Sequence, residues 1–175
     1  MSLGLPAIER VTYIKLNSTT RKFVGIIRTI RNDAILLNKV HRLAIDMEKQ
    51  RWWVESQKSF QLLSDKETKP DDKEAGGVEG KERPPTNFSY VDKYSKEPVP
   101  MPGGVVFQAV IKEREGKKTK GVAYVHFFPN GFSEQSILHL NKDGSQSKGY
   151  SLVVRPTSGR VELFSDFIEG FVAEK

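Results

Sequence analysis

The sequence predicts an α+β fold in which one long N-terminal α-helix packs on antiparallel β-sheet. Three observations lead there. Apolar residues keep helical spacing from Ile8 to about Asn38. Directly after that run the hydrophobic period changes from 3.6 to 2, with almost no loop between. The remainder is a series of short strand-like segments, several of them stopped by Gly, Pro, Asn or Asp. A chain of 175 residues with 37% hydrophobic residues is long enough to be one domain with a real core.

The helix is placed over residues 8–38. Leu16, Phe23, Ile30 and Leu37 recur at every seventh position, and Thr20, Ile27 and Ala34 fill the offsets of the same face. No proline interrupts the run after Pro6, so at the α-helical rise its length is about 45 Å. That is oversized for so small a domain and implies a spine continuing into something else. Residues 1–5 read as an expression scar or the remnant of an anchor. Ahead of Leu16, the residues Leu5, Ile8, Val11, Tyr13 and Ile14 spread around much of the circumference, as suits contact with several neighbours near a membrane surface.

The β region is placed over 40–63 and 105–164. Leu43, Ile45 and Met47 alternate with Ala44, Asp46 and Glu48, and Trp52-Trp53-Val54 starts the returning strand of a hairpin over 40–56. Adjacent strand residues face opposite sides, so one tryptophan packs on the helix and the other lies under loop residues or meets a partner. Phe60 to Leu63 extend or follow this strand. Residues 64–104 hold six of the nine prolines, the pair Gly76-Gly77 and few apolar anchors, and read as a long mobile loop pinned at its far end by Phe88, Tyr90 and Tyr94. Strands follow at Val105–Ile111, Val122–Phe128 and Ile137–Leu140, and a last hairpin pairs Tyr150–Arg155 with Arg160–Phe164 around Pro156-Thr157-Ser158-Gly159. The tail over 165–175 is too short to assign as helix or strand.

Charge and composition narrow the function. Residues 1–60 carry 11 Lys/Arg against 5 Asp/Glu, while residues 61–175 carry 17 of each, so the whole net charge of +6 sits on the helix and first hairpin. A solvated helix face, attraction to anionic lipid headgroups and a nucleic-acid footprint all fit, although the basic residues are dispersed rather than packed with stacking aromatics. No run approaches the ~20 apolar residues that span a bilayer. The absence of cysteine excludes disulfides and thiolate metal sites.

Catalytic signals are missing. His41, His126 and His139 lie on separate elements, and although the last two could sit on neighbouring strands, no carboxylate has ligand spacing beside them. Gly116-Lys117-Lys118-Thr119 lacks the earlier glycine of a phosphate loop, where Ile111 stands instead, and reads as a hairpin turn. Asn141-Lys142-Asp143-Gly144 lacks the later acids of a calcium loop, and no Gly-x-Ser-x-Gly elbow occurs. The expectation is no enzyme, no metal and no cofactor.

The order of the elements, with a strand pair closing on Phe127-Phe128-Pro129-Asn130-Gly131 and a last hairpin reading Leu152-Val153-Val154-Arg155-Pro156-Thr157-Ser158-Gly159-Arg160-Val161, resembles the GspH/FimT-type minor pseudopilins. Arg31-Asn32-Asp33-Ala34 through Leu43-Ala44-Ile45-Asp46 is similar to that family's passage from helix to first strand. The resemblance covers residues 6–164 apart from the long loop. It marks Phe128, Pro129, Asn130, Gly131, Pro156, Gly159 and Arg160 as motif turns. It implies a pilin-like periplasmic domain anchored in the inner membrane by an apolar helix ahead of Leu5-Pro6. It further implies trimming and methylation by a prepilin peptidase, extraction by an assembly platform, and packing against other pseudopilins or pilins. In such a filament Ile8, Val11, Ile14, Leu16 and Phe23 would lie towards neighbouring subunits. The implied role is structural, in a type II secretion pseudopilus or a type IV pilus-like filament; the alternative is a DNA-binding minor pilin in DNA uptake, with nucleic acid as partner.

Overall fold

The computed structural model describes residues 5–57, 87–143 and 149–171, with side chains described from Val11 onward. Helix α1 spans Leu5–Leu36. Its end has a local cause. Asn38 adopts a left-handed φ of 50°. The Lys39 amide donates back to the Ala34 carbonyl at 3.1 Å and the Asn38 amide to Ile35 at 3.3 Å. This pair of bonds is a Schellman motif, which satisfies the last carbonyls and turns the chain out of the helix. Leu37 therefore falls off the stripe that its spacing assigned it to, and is 56% exposed.

Ten strands follow among the described residues: β1 His41–Asp46, β2 Arg51–Gln57, β3 Phe88–Tyr90, β4 Val99–Pro100, β5 Val105–Lys112, β6 Gly116–Lys118, β7 Val122–Phe127, β8 Ser136–Lys142, β9 Gly149–Val154 and β10 Val161–Phe164. They form two antiparallel sheets. One runs β3-β2-β1-β7, with β4 also on β2; the other runs β10-β9-β8-β5-β6. The expected hairpins appear as β1–β2 and β9–β10. Two expectations change. β7 does not pair with β5 but crosses to the first sheet and lies along β1, while β5 pairs with β8. Residues 87–104, assigned to a mobile loop, contain β3 and β4, both laid along β2. Phe60 to Leu63 and the rest of that loop through 86 lie outside the described residues.

The core fills the space between α1 and the two sheets. Leu16, Phe23, Ile27, Ile30 and Ala34 of the helix meet Leu43, Ile45, Trp52, Val54 and Val125 of the first sheet and Phe107, Val110, Leu138, Leu140, Leu152 and Val154 of the second. Phe23 sits edge-on to both Trp52 and Phe107, with ring centroids 5.2 and 5.0 Å apart. Phe107 and Val110 share the inner face although they are an odd number of residues apart. A bulge between Phe107 and Ala109 shifts the register and reverses the alternation.

The outer faces are covered too. Trp53 points away from the helix, is buried, and packs edge-on to Tyr90 of β3 at 6.5 Å. Beside it the Arg42 guanidinium lies between the rings of Phe88 (3.8 Å) and Tyr124 (4.1 Å), and its Nε donates to Glu55 Oε2 at 2.6 Å. On the second sheet the tail over 165–171 crosses Ile111, Ile137 and Val153 without regular structure, contributing Ile168 and Phe171.

Candidate interaction surface

The two turns singled out in the sequence come together at the C-terminal end of α1. In the first, the Gly131 amide donates to Phe128 at 3.0 Å and the Phe128 amide to Phe132 at 2.9 Å, with Gly131 at φ 83°. In the second, the Gly159 amide donates to Arg155 at 2.9 Å, with Gly159 at φ 58°. Both glycines occupy left-handed backbone that side chains resist. Ser133 joins the turns: its amide donates to Pro156 at 2.9 Å and its hydroxyl to the Arg155 carbonyl at 3.0 Å.

Arg31 of α1 runs between them. Its Nε donates to the Gly131 carbonyl at 2.9 Å. A methyl group on Gly159 would lie 2.0 Å from Arg31 Cδ and Nε, and one on Gly131 would lie 3.2 Å from Arg31 Nη2. Gly159 is thus needed for conformation and for the passage of this side chain, and Gly131 chiefly for conformation. Pro129, Asn130 and Pro156 shape the loops, and the Asn130 side-chain oxygen accepts the Phe132 amide at 3.1 Å. Arg31 carried no assigned role from the sequence, because its partners are contributed by turns far along the chain. Around it Arg28, Arg31, Asn32, Ser158, Arg160 and Glu162 line a cleft of about 590 Å³.

The residues expected to face other subunits divide. Val11 and Ile14 are 52% and 68% exposed, whereas Leu16 and Phe23 are each 1% exposed. Leu16 and Phe23 are consumed by the chain's own core, so they offer no free surface to a neighbour. The Ile8 side chain lies outside the described residues.

The ionisable groups elsewhere form fixed bridges. His126 and His139 are not neighbours, since β7 and β8 belong to different sheets. His126 Nδ1 donates to Glu134 Oε2 at 2.8 Å, and Lys112 Nζ reaches Glu134 Oε1 at 2.9 Å, so one carboxylate ties the two sheets. Burial alone would raise the pKa of Glu134, but the hydrogen bonds from His126 and Lys112 prevail and hold it at about 2. His139 donates Nε2 to the Ile168 carbonyl at 3.0 Å and stacks on Phe167, and burial lowers its pKa. Among the described residues no three His, Asp or Glu side chains converge as metal ligands would. What the surface at the end of α1 offers chemically is permanent positive charge and hydrogen-bond donors.

The helix and the two antiparallel sheets match a solved structure of the minor pseudopilin EpsH from the type II secretion system of Vibrio cholerae. It superposes with a TM-score of 0.53 over 89% of this chain and 97% of that one, at 10% identity. The fold is that of a minor pseudopilin. A second EpsH structure aligns with a TM-score of 0.49 over 86% of this chain and 97% of that chain, at 12% identity. No family model matches the sequence, and no curated protein matches it. The pseudopilin fold is thus shared at low sequence identity, and in this chain the two motif turns enclose Arg31.

Proposed function

We propose that this chain is a structural, non-catalytic minor pseudopilin of a type II secretion pseudopilus or a related type IV pilus-like filament, supporting protein export across the outer membrane. The observation that carries this reading is the divided helix. From Leu16 onward its apolar stripe is spent on the domain's own core, while Val11, Tyr13 and Ile14 stay exposed. A helix apolar on free sides suits lateral packing against other long helices. No helix among the described residues is long and apolar enough to cross a membrane. In this reading an apolar segment ahead of Leu5 anchors the protein in the inner membrane with the domain in the periplasm. A prepilin peptidase trims and methylates that segment, and an assembly platform extracts the subunit.

The sequence contains no cysteine, so Val11→Cys introduces a unique thiol. Paired with cysteines placed in the helices of other filament subunits, it crosslinks in cells if the reading holds. Absence of any crosslink, together with a tight closed oligomer formed through the sheets, overturns it. A filter-binding salt titration addresses DNA uptake, since phosphate contacts impose a steep salt slope.

A further inference from the structure

Arg28, Asn32 and Leu36 succeed one another at four-residue intervals and so form one exposed row on the last turns of α1. Arg28, Arg31 and Asn32 of the helix line the cleft together with Arg160 of the last hairpin. The cationic charge there is not neutralised from within. Glu162, the one acid on the wall, is held by Arg155 at 2.7 Å. Asp33, next on the helix, is taken by Lys93 Nζ at 2.9 Å and by the Tyr94 hydroxyl at 2.8 Å. Arg31 gives its Nε to a backbone carbonyl, and among the described residues no carboxylate pairs with Arg28, Arg31 or Arg160.

An apolar margin adjoins this charge. A methyl group on Gly131 would touch both Arg31 and Ile35, and Phe132 follows Gly131 directly. Ile35, Leu36, Leu37 and Phe132 are all exposed, Leu36 by 78%. Three guanidinium groups facing a bounded cleft, with aliphatic side chains on one margin, match a segment that alternates carboxylates with apolar side chains. Nucleic acid calls instead for a longer basic track with several stacking rings.

We propose that this cleft is a docking surface for an acidic, leucine-flanked segment of a partner protein. Arg28 and Arg160 receive its carboxylates, Asn32 and Ser158 hydrogen-bond its backbone, and Leu36 and Phe132 cover its apolar residues. The inference stands on the cleft alone and holds whichever assembly the chain joins.

The test is fluorescence anisotropy with a short labelled peptide of alternating Glu and Leu, compared with its Gln–Leu analogue. The wild-type protein binds the Glu–Leu peptide in preference. Arg28→Gln with Arg160→Gln weakens that binding roughly fivefold or more at an unchanged melting temperature, because both side chains are exposed and their loss leaves no buried group unpaired. Leu36→Ser also weakens binding, and Lys22→Gln, elsewhere on the helix, does not. The proposal is overturned if the wild-type protein ignores the peptide, if the double variant binds it as well as wild type, or if Lys22→Gln weakens it equally. It is also overturned if an oligonucleotide or phosphatidylglycerol vesicles bind more tightly at the same ionic strength and lose that binding in the double variant, which would give the arginines to a phosphate.

Discussion

The side-chain amide of Gln50 occupies both backbone polar groups of Phe107: its oxygen accepts the Phe107 amide at 2.8 Å and its nitrogen donates to the Phe107 carbonyl at 3.0 Å. Gln50 lies in the β1–β2 turn and Phe107 beside the β5 bulge, so one side chain joins the sheets where the ladder is interrupted. The amide nitrogen also donates to the Met47 carbonyl at 2.7 Å, so Gln50→Ala leaves three backbone groups without those partners. The substitution lowers stability by about 1–3 kcal/mol in a urea melt, whereas Glu48→Ala, exposed in the same turn, changes little. Equal melts for the two variants would show that the amide is replaceable by water.

Gly159→Ala puts a methyl group onto Arg31 and forces alanine into φ 58°. The clash costs about 1–3 kcal/mol and the backbone about 1–2 kcal/mol. Arg31→Ala removes the obstacle but not the dihedral. The double variant is therefore more stable than the two single losses added together, and strict additivity in a double-mutant cycle would contradict the packing described here.

The helix stripe makes a sharper demand. Ile30 is fully buried, so Ile30→Asp places an unpaired carboxylate in the core at a cost of several kcal/mol, a large part of a small domain's stability. Arg21 is exposed, and Arg21→Asp leaves the domain folded. Circular dichroism melts of the two variants separate widely if α1 faces the sheets as described.

Acid sensitivity follows from two carboxylates. Glu134 is held at about 2 rather than 4.5. Burial would raise Asp33, but its hydrogen bonds from Lys93 and Tyr94 pull it below 3.8. A carboxylate whose pKa is lower folded than unfolded contributes its stability fully above the unfolded value, and that contribution fades as pH falls through the folded value. The melting temperature thus drops between about pH 5 and about pH 2. Glu134→Gln flattens part of that slope, and an unchanged slope would remove Glu134 from the account.

Much of this was legible in the sequence, because the helix and the longer strands declare themselves through period. Leu16 to Ala34 could be read as one face, and Trp52 and Trp53 had to separate because strand side chains alternate. Leu37 was misassigned because a periodic pattern does not reveal where a Schellman turn overrides it. The same stripe marked Leu16 and Phe23 as apolar without saying whether their own sheets or a neighbour would cover them. β3 and β4 escaped notice because three- and two-residue strands have no period to detect. Arg42 between Phe88 and Tyr124, and Lys93 on Asp33, place that stretch instead. The partner of β7 was hidden for a related reason: alternation gives a strand its two faces but not its neighbour. Arg31 stood in the helix-end stretch without a role of its own, and its signal was indirect, in a turn glycine, Gly159, whose missing side chain leaves room for it.

Gln57 and Phe88 stand directly opposite each other in the β2–β3 register. The last residue of β2 and the first of β3 are thus held together, and the stacked Arg42 clamps that junction. The pairing of β2 with β3 is therefore anchored locally: Arg42, held by Glu55 and stacked on Phe88, keeps the two positions together whatever length of chain is spliced between them.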